Sequence, residues 1–172
     1  LDEIERTLHI RSFSKSHGPD LRLAAVGGAG EVVATVANRR LLGPGWSSRI
    51  LQALLLALLD DPATLERIDQ ARAAYAERRR VVAEVLHDHG VPVSGADGIN
   101  LWVEVADERA ARITLAARGI GAAPGEPFLV RPDADHLRVT VGAITGRPEQ
   151  VRATAAVLAD AAGRVRARSG TR

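Results

Sequence analysis

A chain of 172 residues, 46% of them hydrophobic, is long enough for one or two small domains with a sizeable core. Its 23 basic and 21 acidic residues leave a formal charge of +2, and the arginines are dispersed, so no nucleic-acid groove is indicated. With no cysteine, a disulfide framework and a thiolate metal site are excluded. The longest apolar run, residues 50–59, is broken by Gln52 and is far short of the roughly 20 residues of a membrane span. These features lead to the expectation of a cytoplasmic protein without a membrane partner. The chain starts at Leu1 and contains no methionine, so it reads as a piece of something longer.

In chain order, residues 1–8 are charged and lead into a strand over 9–13 that ends at Lys15. Gly18-Pro19-Asp20 is turn chemistry. Lys15 is therefore presented at a strand end, where open α/β sheets bind ligands. Residues 21–28 read as a second strand closed by glycines, and Gly27-Gly28-Ala29-Gly30 lacks the spacing of a dinucleotide site. Residues 31–42 read as a short helix, although Val32, Val33 and Val36 also suit a strand. Beyond Gly43-Pro44-Gly45, Ser47 or Ser48 can cap a helix over residues 50–61 that is apolar nearly all round. Such a helix is expected to be buried against a sheet or a partner subunit. Trp46, just before it, reads as a packing anchor.

Pro62, with Asp61 as cap, starts a long helix that runs to His89 and stops at Gly90. Leu65, Ile68, Tyr75, Val82 and Leu86 form its apolar stripe. After a turn over 94–98, residues 99–105 alternate as a strand. Asp107 caps a helix over 108–118, and a short strand over 120–123 leads to Pro124-Gly125-Glu126-Pro127-Phe128. In the strand 137–141, Leu137, Val139 and Val141 face the core and leave His136, Arg138 and Thr140 on the opposite side. A last helix from Pro148 to about Arg168 packs Val151, Ala155, Leu158 and Ala162 inward, and residues 169–172 fray. The order is that of an α/β fold moving into a small α+β domain.

The chemistry concentrates in Ser12-Phe13-Ser14-Lys15-Ser16-His17-Gly18-Pro19-Asp20-Leu21-Arg22. A lysine amine condenses with an aldehyde once deprotonated, and hydroxyls with an arginine fork suit a phosphate. An aldehyde carrying a phosphate is pyridoxal phosphate. Lys15 is the only lysine, and arginine supplies every other basic side chain. The pattern S-x-S-K-x-x-x-P-x-L-R resembles the cofactor-lysine segment of fold-type I aminotransferases of classes I and II.

The resemblance implies the C-terminal part of a pyridoxal phosphate-dependent transferase: residues 1–75 from the cofactor-binding large domain and 76–172 as a small α+β domain, joined by the long helix. It implies Lys15 as the Schiff-base and proton-shuttling lysine, with Ser12, Ser14 and Arg22 on the cofactor phosphate. Arg138 matches the late strand arginine that binds a substrate carboxylate, and Asn100 lies where the family often places a residue near the substrate. Pro124-Gly125-Glu126-x-Phe128 resembles the family's P-G-x-x-F turn, which shapes the site.

Ser16 and His17 fall outside this set, and His87 and His89 lack the partners of a metal site. The family's aspartate at the pyridinium nitrogen, its stacking aromatic and its glycine-rich phosphate loop precede the lysine, so none can be assigned here and this chain alone is expected to be a poor catalyst.

Two functions are implied. One is amino-group transfer between an amino acid and a 2-oxo acid. The other follows from Val36-Ala37-Asn38-Arg39-Arg40-Leu41-Leu42-Gly43-Pro44-Gly45-Trp46-Ser47-Ser48 and Leu51-Gln52, which resemble the aminotransferase-like domains of MocR-type regulators in the GntR family. There the same site senses an amine or amino acid. The expected partners are that small molecule, a second copy in a homodimer of the full-length protein, and DNA only through an N-terminal domain absent from this sequence.

Overall fold

A hairpin encloses the lysine. In the computed structural model, which describes residues 7–130 and 134–163, β1 (Leu8–Ser12) pairs antiparallel with β2 (Ala24–Gly28) from Leu8↔Gly28 to Ser12↔Ala24. The chain divides into two compact units, Leu1–Ala71 and Arg72–Arg172. Most of the expected charged lead-in, residues 1–6, lies outside the described residues.

In the first unit, β2 starts later than the strand expected from residue 21. Pro19–Leu21 forms a 3-10 turn and Arg22 takes φ 49°, which drops Leu21, 5% exposed, into a cluster with Phe13 and Leu55. Gly28 closes the hairpin at φ 149°, where a Cβ would lie within 2.4 Å of the Thr7 carbonyl oxygen. The ambiguous valine-rich segment is helical, as α1 (Gly30–Arg40).

The next helix, α2 (Arg49–Asp60), is capped by Ser48, whose Oγ accepts from Leu51 N at 3.4 Å. Within this chain Leu55 alone of α2 is buried, while Ile50 and Leu56 are 80% and 63% exposed, so no sheet covers the helix among the described residues; the other expected cover, a partner subunit, lies outside this structure. The small cluster under the lysine turn covers one face of the helix only, with Leu51, Leu58 and Leu59 at its margin. Trp46, expected as a packing anchor, is 80% exposed among the described residues.

The long helix, α3 (Pro62–Asp88), contains the division between the units. Asp61 Oδ2 caps it, accepting from Thr64 N at 2.9 Å and Thr64 Oγ1 at 2.6 Å. At the other end Gly90 takes φ 72° and Val91 N donates back to Leu86 O at 2.9 Å. Val81, Val82, Val85 and Leu86 are buried, whereas Leu65, at the start of the expected stripe, is 45% exposed.

The second unit is built on a four-stranded antiparallel sheet of β3 (Val93–Ser94), β4 (Asn100–Val105), β5 (Ala123–Pro124) and β6 (Asp135–Thr140), in the order β3-β4-β6-β5. Leu101, Val103, Val105, Leu137 and Val139 point to one side. There they join Val82 and Leu86 of α3, Leu115 of α4 (Glu108–Ala117) and Leu158 of α5 (Pro148–Ala162) in one core. Asp107 caps α4, with Ala110 N donating to its Oδ1 at 2.7 Å. The short strand lies at Ala123–Pro124 rather than 120–123, because β5 meets β6 only at Arg138 and Leu137. Helix α5 ends at Ala162 with Gly163 at φ 70°, and its expected continuation over 164–168 lies outside the described residues, as do residues 169–172.

Candidate functional site

Lys15 sits in the tight connection between β1 and the 3-10 turn. Ser16 N and His17 N both donate to Phe13 O, at 3.3 and 2.9 Å, and Phe13 N donates to Leu23 O at 3.0 Å. The backbone thus folds over Phe13, whose buried ring ties the turn to Leu21 and Leu55. Ser14 N donates to Ser12 Oγ at 3.3 Å, an ST-type turn that fixes the approach to the lysine. Lys15 and Arg22 are exposed, and neither side chain has a hydrogen bond or ion pair among the described residues. An amine, a guanidinium and two hydroxyls thus lie within residues 12–22, at the connection between β1 and β2. That donor set fits an anionic group bearing an aldehyde.

The remaining candidates lie on the sheet of the second unit. Arg138 and Trp102 are cross-strand neighbours, as are Asn100 and Thr140, all on the face away from the core. Thr140 Oγ1 donates to Asn100 Oδ1 at 2.8 Å, which fixes the amide and leaves its NH₂ donors for a ligand. The Arg138 guanidinium lies over the Phe128 ring, 4.4 Å from its centroid. Its Nε is buried without a hydrogen-bond partner among the described residues.

His136 lies on the side opposite the core with Arg138 and Thr140, as expected, and is covered there, 9% exposed. Trp102 stacks on its ring with centroids 4.9 Å apart, and its Nδ1 is 2.9 Å from Ala134 O. Sequence reasoning also passed over Glu108, whose carboxylate holds the turn carrying Phe128. Its partners lie 17 and 18 positions along the chain, so no local pattern marks it. His17 was likewise set aside. Its Nδ1 is 2.8 Å from Ser16 Oγ and its ring meets Phe13 edge-on at 5.7 Å.

A lysine-bearing hairpin turn followed, across a long helix, by a small antiparallel sheet carrying an arginine defines the C-terminal part of a fold-type I aminotransferase. Solved structures share this fold. Kynurenine aminotransferase from Pyrococcus horikoshii aligns with a TM-score of 0.76 and 20% identity over 94% of this chain and 41% of its own. Aspartate aminotransferase from Thermus thermophilus gives 0.72 and 23% over 92% and 42%.

The family model for aminotransferase class I and II matches residues 1–158, and the chain belongs to that family. Among curated relatives, the vitamin B6 salvage pathway transcriptional repressor PtsJ of Salmonella typhimurium is 38% identical over 136 residues, 78% of this chain and 32% of that protein. The HTH-type transcriptional regulator TauR of Rhodobacter capsulatus is 33% identical over 138 residues, 74% of this chain and 28% of that protein. The chain thus spans about a third of the length of these relatives.

Proposed function

We propose that this chain is the cofactor-holding and ligand-receiving part of a transcriptional regulator built on an aminotransferase fold. The observation that carries the reading is the 38% identity to the repressor PtsJ over 78% of the chain. In this reading the first unit is the end of the cofactor-binding large domain and the second is the small domain. The group held is pyridoxal phosphate and the ligand is an amino acid or amine. DNA is bound through a separate N-terminal domain, which places the protein in the cytoplasm.

When bound, pyridoxal phosphate supplies an aldehyde for amine exchange and an electron sink for the bond being broken at the ligand's Cα. The residues of this chain divide the remaining work. Lys15 would hold the aldehyde end of the cofactor through its amine and would hold or move a proton at the ligand's Cα. Ser12, Ser14 and Arg22 would hold the cofactor's phosphate through two hydroxyls and a guanidinium fork. Arg138 captures a carboxylate through its planar fork, and Asn100 offers its amide beside it. A homodimer of the full-length protein belongs to this reading, and Ile50 and Leu56 leave α2 an apolar face available to it.

The second reading is a free-standing aminotransferase, favoured by the family match over residues 1–158. The test uses the full-length protein with pyridoxal phosphate. One arm measures amino-group exchange between amino acids and 2-oxo acids, and the other measures binding to its own upstream DNA with and without amino acid. Ligand-dependent DNA binding without sustained exchange supports the regulator. Sustained exchange with no DNA binding overturns it and supports the enzyme.

A further inference from the structure

Among the described residues Arg138 has no carboxylate partner; an aromatic ring holds it instead. Its guanidinium stands 4.4 Å over Phe128 while its Nε is buried and unpartnered among the described residues. A ring engages the face of a guanidinium and leaves the N–H donors in its plane unspent. An ion pair with a protein carboxylate would fix the side chain equally well but would occupy the fork a ligand needs.

The ring is itself tied down. Phe128 N donates to Gly125 O at 2.8 Å, and Gly125 packs so closely on β6 that a Cβ would lie 2.5 Å from His136 O. From the first residue of α4, Glu108 Oε2 accepts from Gly125 N at 2.9 Å and from Glu126 N at 3.0 Å. The Glu108 backbone N–H donates to Asp135 Oδ2 at 2.8 Å, closing the connection back to the strand that bears Arg138. Helix start, turn and strand thus form one braced frame around the ring.

We propose that Phe128 and Glu108 are positioning residues that set the orientation of Arg138 for a ligand carboxylate, Phe128 through the stacked ring and Glu108 by holding the turn that carries it. The inference rests on the reading of Arg138 as the carboxylate receptor. It predicts a selective effect. A ligand with a carboxylate feels the loss of either residue, and the amine made by decarboxylating that ligand does not.

The test uses full-length protein loaded with pyridoxal phosphate and follows the absorbance of the bound cofactor. The twenty standard L-amino acids are titrated first, and the tightest is then compared with its decarboxylated amine. Phe128→Leu and Glu108→Ala are each expected to weaken the amino acid about five- to tenfold, the scale of one lost cation–π contact, with the amine unchanged. Phe128→Tyr and Glu108→Gln, which keep a ring and an acceptor, are expected to restore most of it.

An unchanged amine affinity also reports an intact fold in each variant. If Phe128→Leu or Glu108→Ala weakens both ligands equally, or neither, the positioning role is overturned. Failure of the underlying reading looks different: no response to any amino acid, or an Arg138→Ala variant that keeps the full preference for amino acid over amine.

Discussion

Lys15 is useful to a cofactor only if its turn is rigid, and the rigidity comes from its neighbours. Phe13 and Leu21, 8% and 5% exposed, bracket the exposed lysine and sink into the same cluster. The lysine stands out in the sequence, because a chain that otherwise uses arginine keeps one lysine inside a hydroxyl-rich turn, and its expected role comes from the resemblance of that segment to the family. Glu108 and the burial of His136 were not legible, since each depends on contacts made only after β6 folds beside the 124–128 turn. Gly125 belongs to the same contact network. Replacing it with alanine forces a Cβ to within 2.5 Å of His136 O and 2.8 Å of its Cβ, both in the strand beside it. Gly125→Ala is expected to cost about 2 kcal/mol, the scale of overpacking a tight site, as a lowered urea midpoint followed by Trp102 fluorescence. An unchanged midpoint would show that the turn can relax away from β6.

Among the elements, those with a strong local signal came through best. Asp61, Asp107 and Ser48 each cap the helix that follows, and β4 and β6 show the alternation their sequences carry. What lies against an element is harder to read. Apolar residues surround α2, while within this chain the cluster beneath the lysine turn covers only the face of Leu55. Strand β3 is two residues long, too short for alternation to appear.

The caps give two predictions. Asp107→Ala removes the acceptor for Ala110 N and is expected to destabilise the second unit by about 1 kcal/mol, read from its urea unfolding. Hydrogen bonds from the Thr64 hydroxyl and backbone hold the Asp61 carboxyl below its ordinary value of 3.8. A lowered folded-state value means that the ionised form stabilises the start of α3 above the unfolded pKa, and that this is lost as pH falls through the folded value. The protection of amides in the first turn of α3, taken as the intrinsic exchange rate at each pH over the measured one, is therefore expected to fall more between pH 7 and acid pH than it does in Asp61→Asn. An equal fall in both would contradict the capping role.

At the scale of the molecule, the chain is two units with separate cores, Phe13–Leu21–Leu55 in one and the larger cluster around Leu86, Leu115 and Leu158 in the other. Among the described residues no helix is long and apolar enough to cross a membrane, and no group of three or more potential metal ligands comes together. The cofactor-holding role proposed for the whole protein turns on Lys15. The most direct measurement is borohydride reduction of the full-length protein loaded with pyridoxal phosphate, followed by peptide mapping. The prediction is a single pyridoxyl label on Lys15, lost in Lys15→Ala. A label on another residue, or none on a protein that still binds the cofactor, would contradict it.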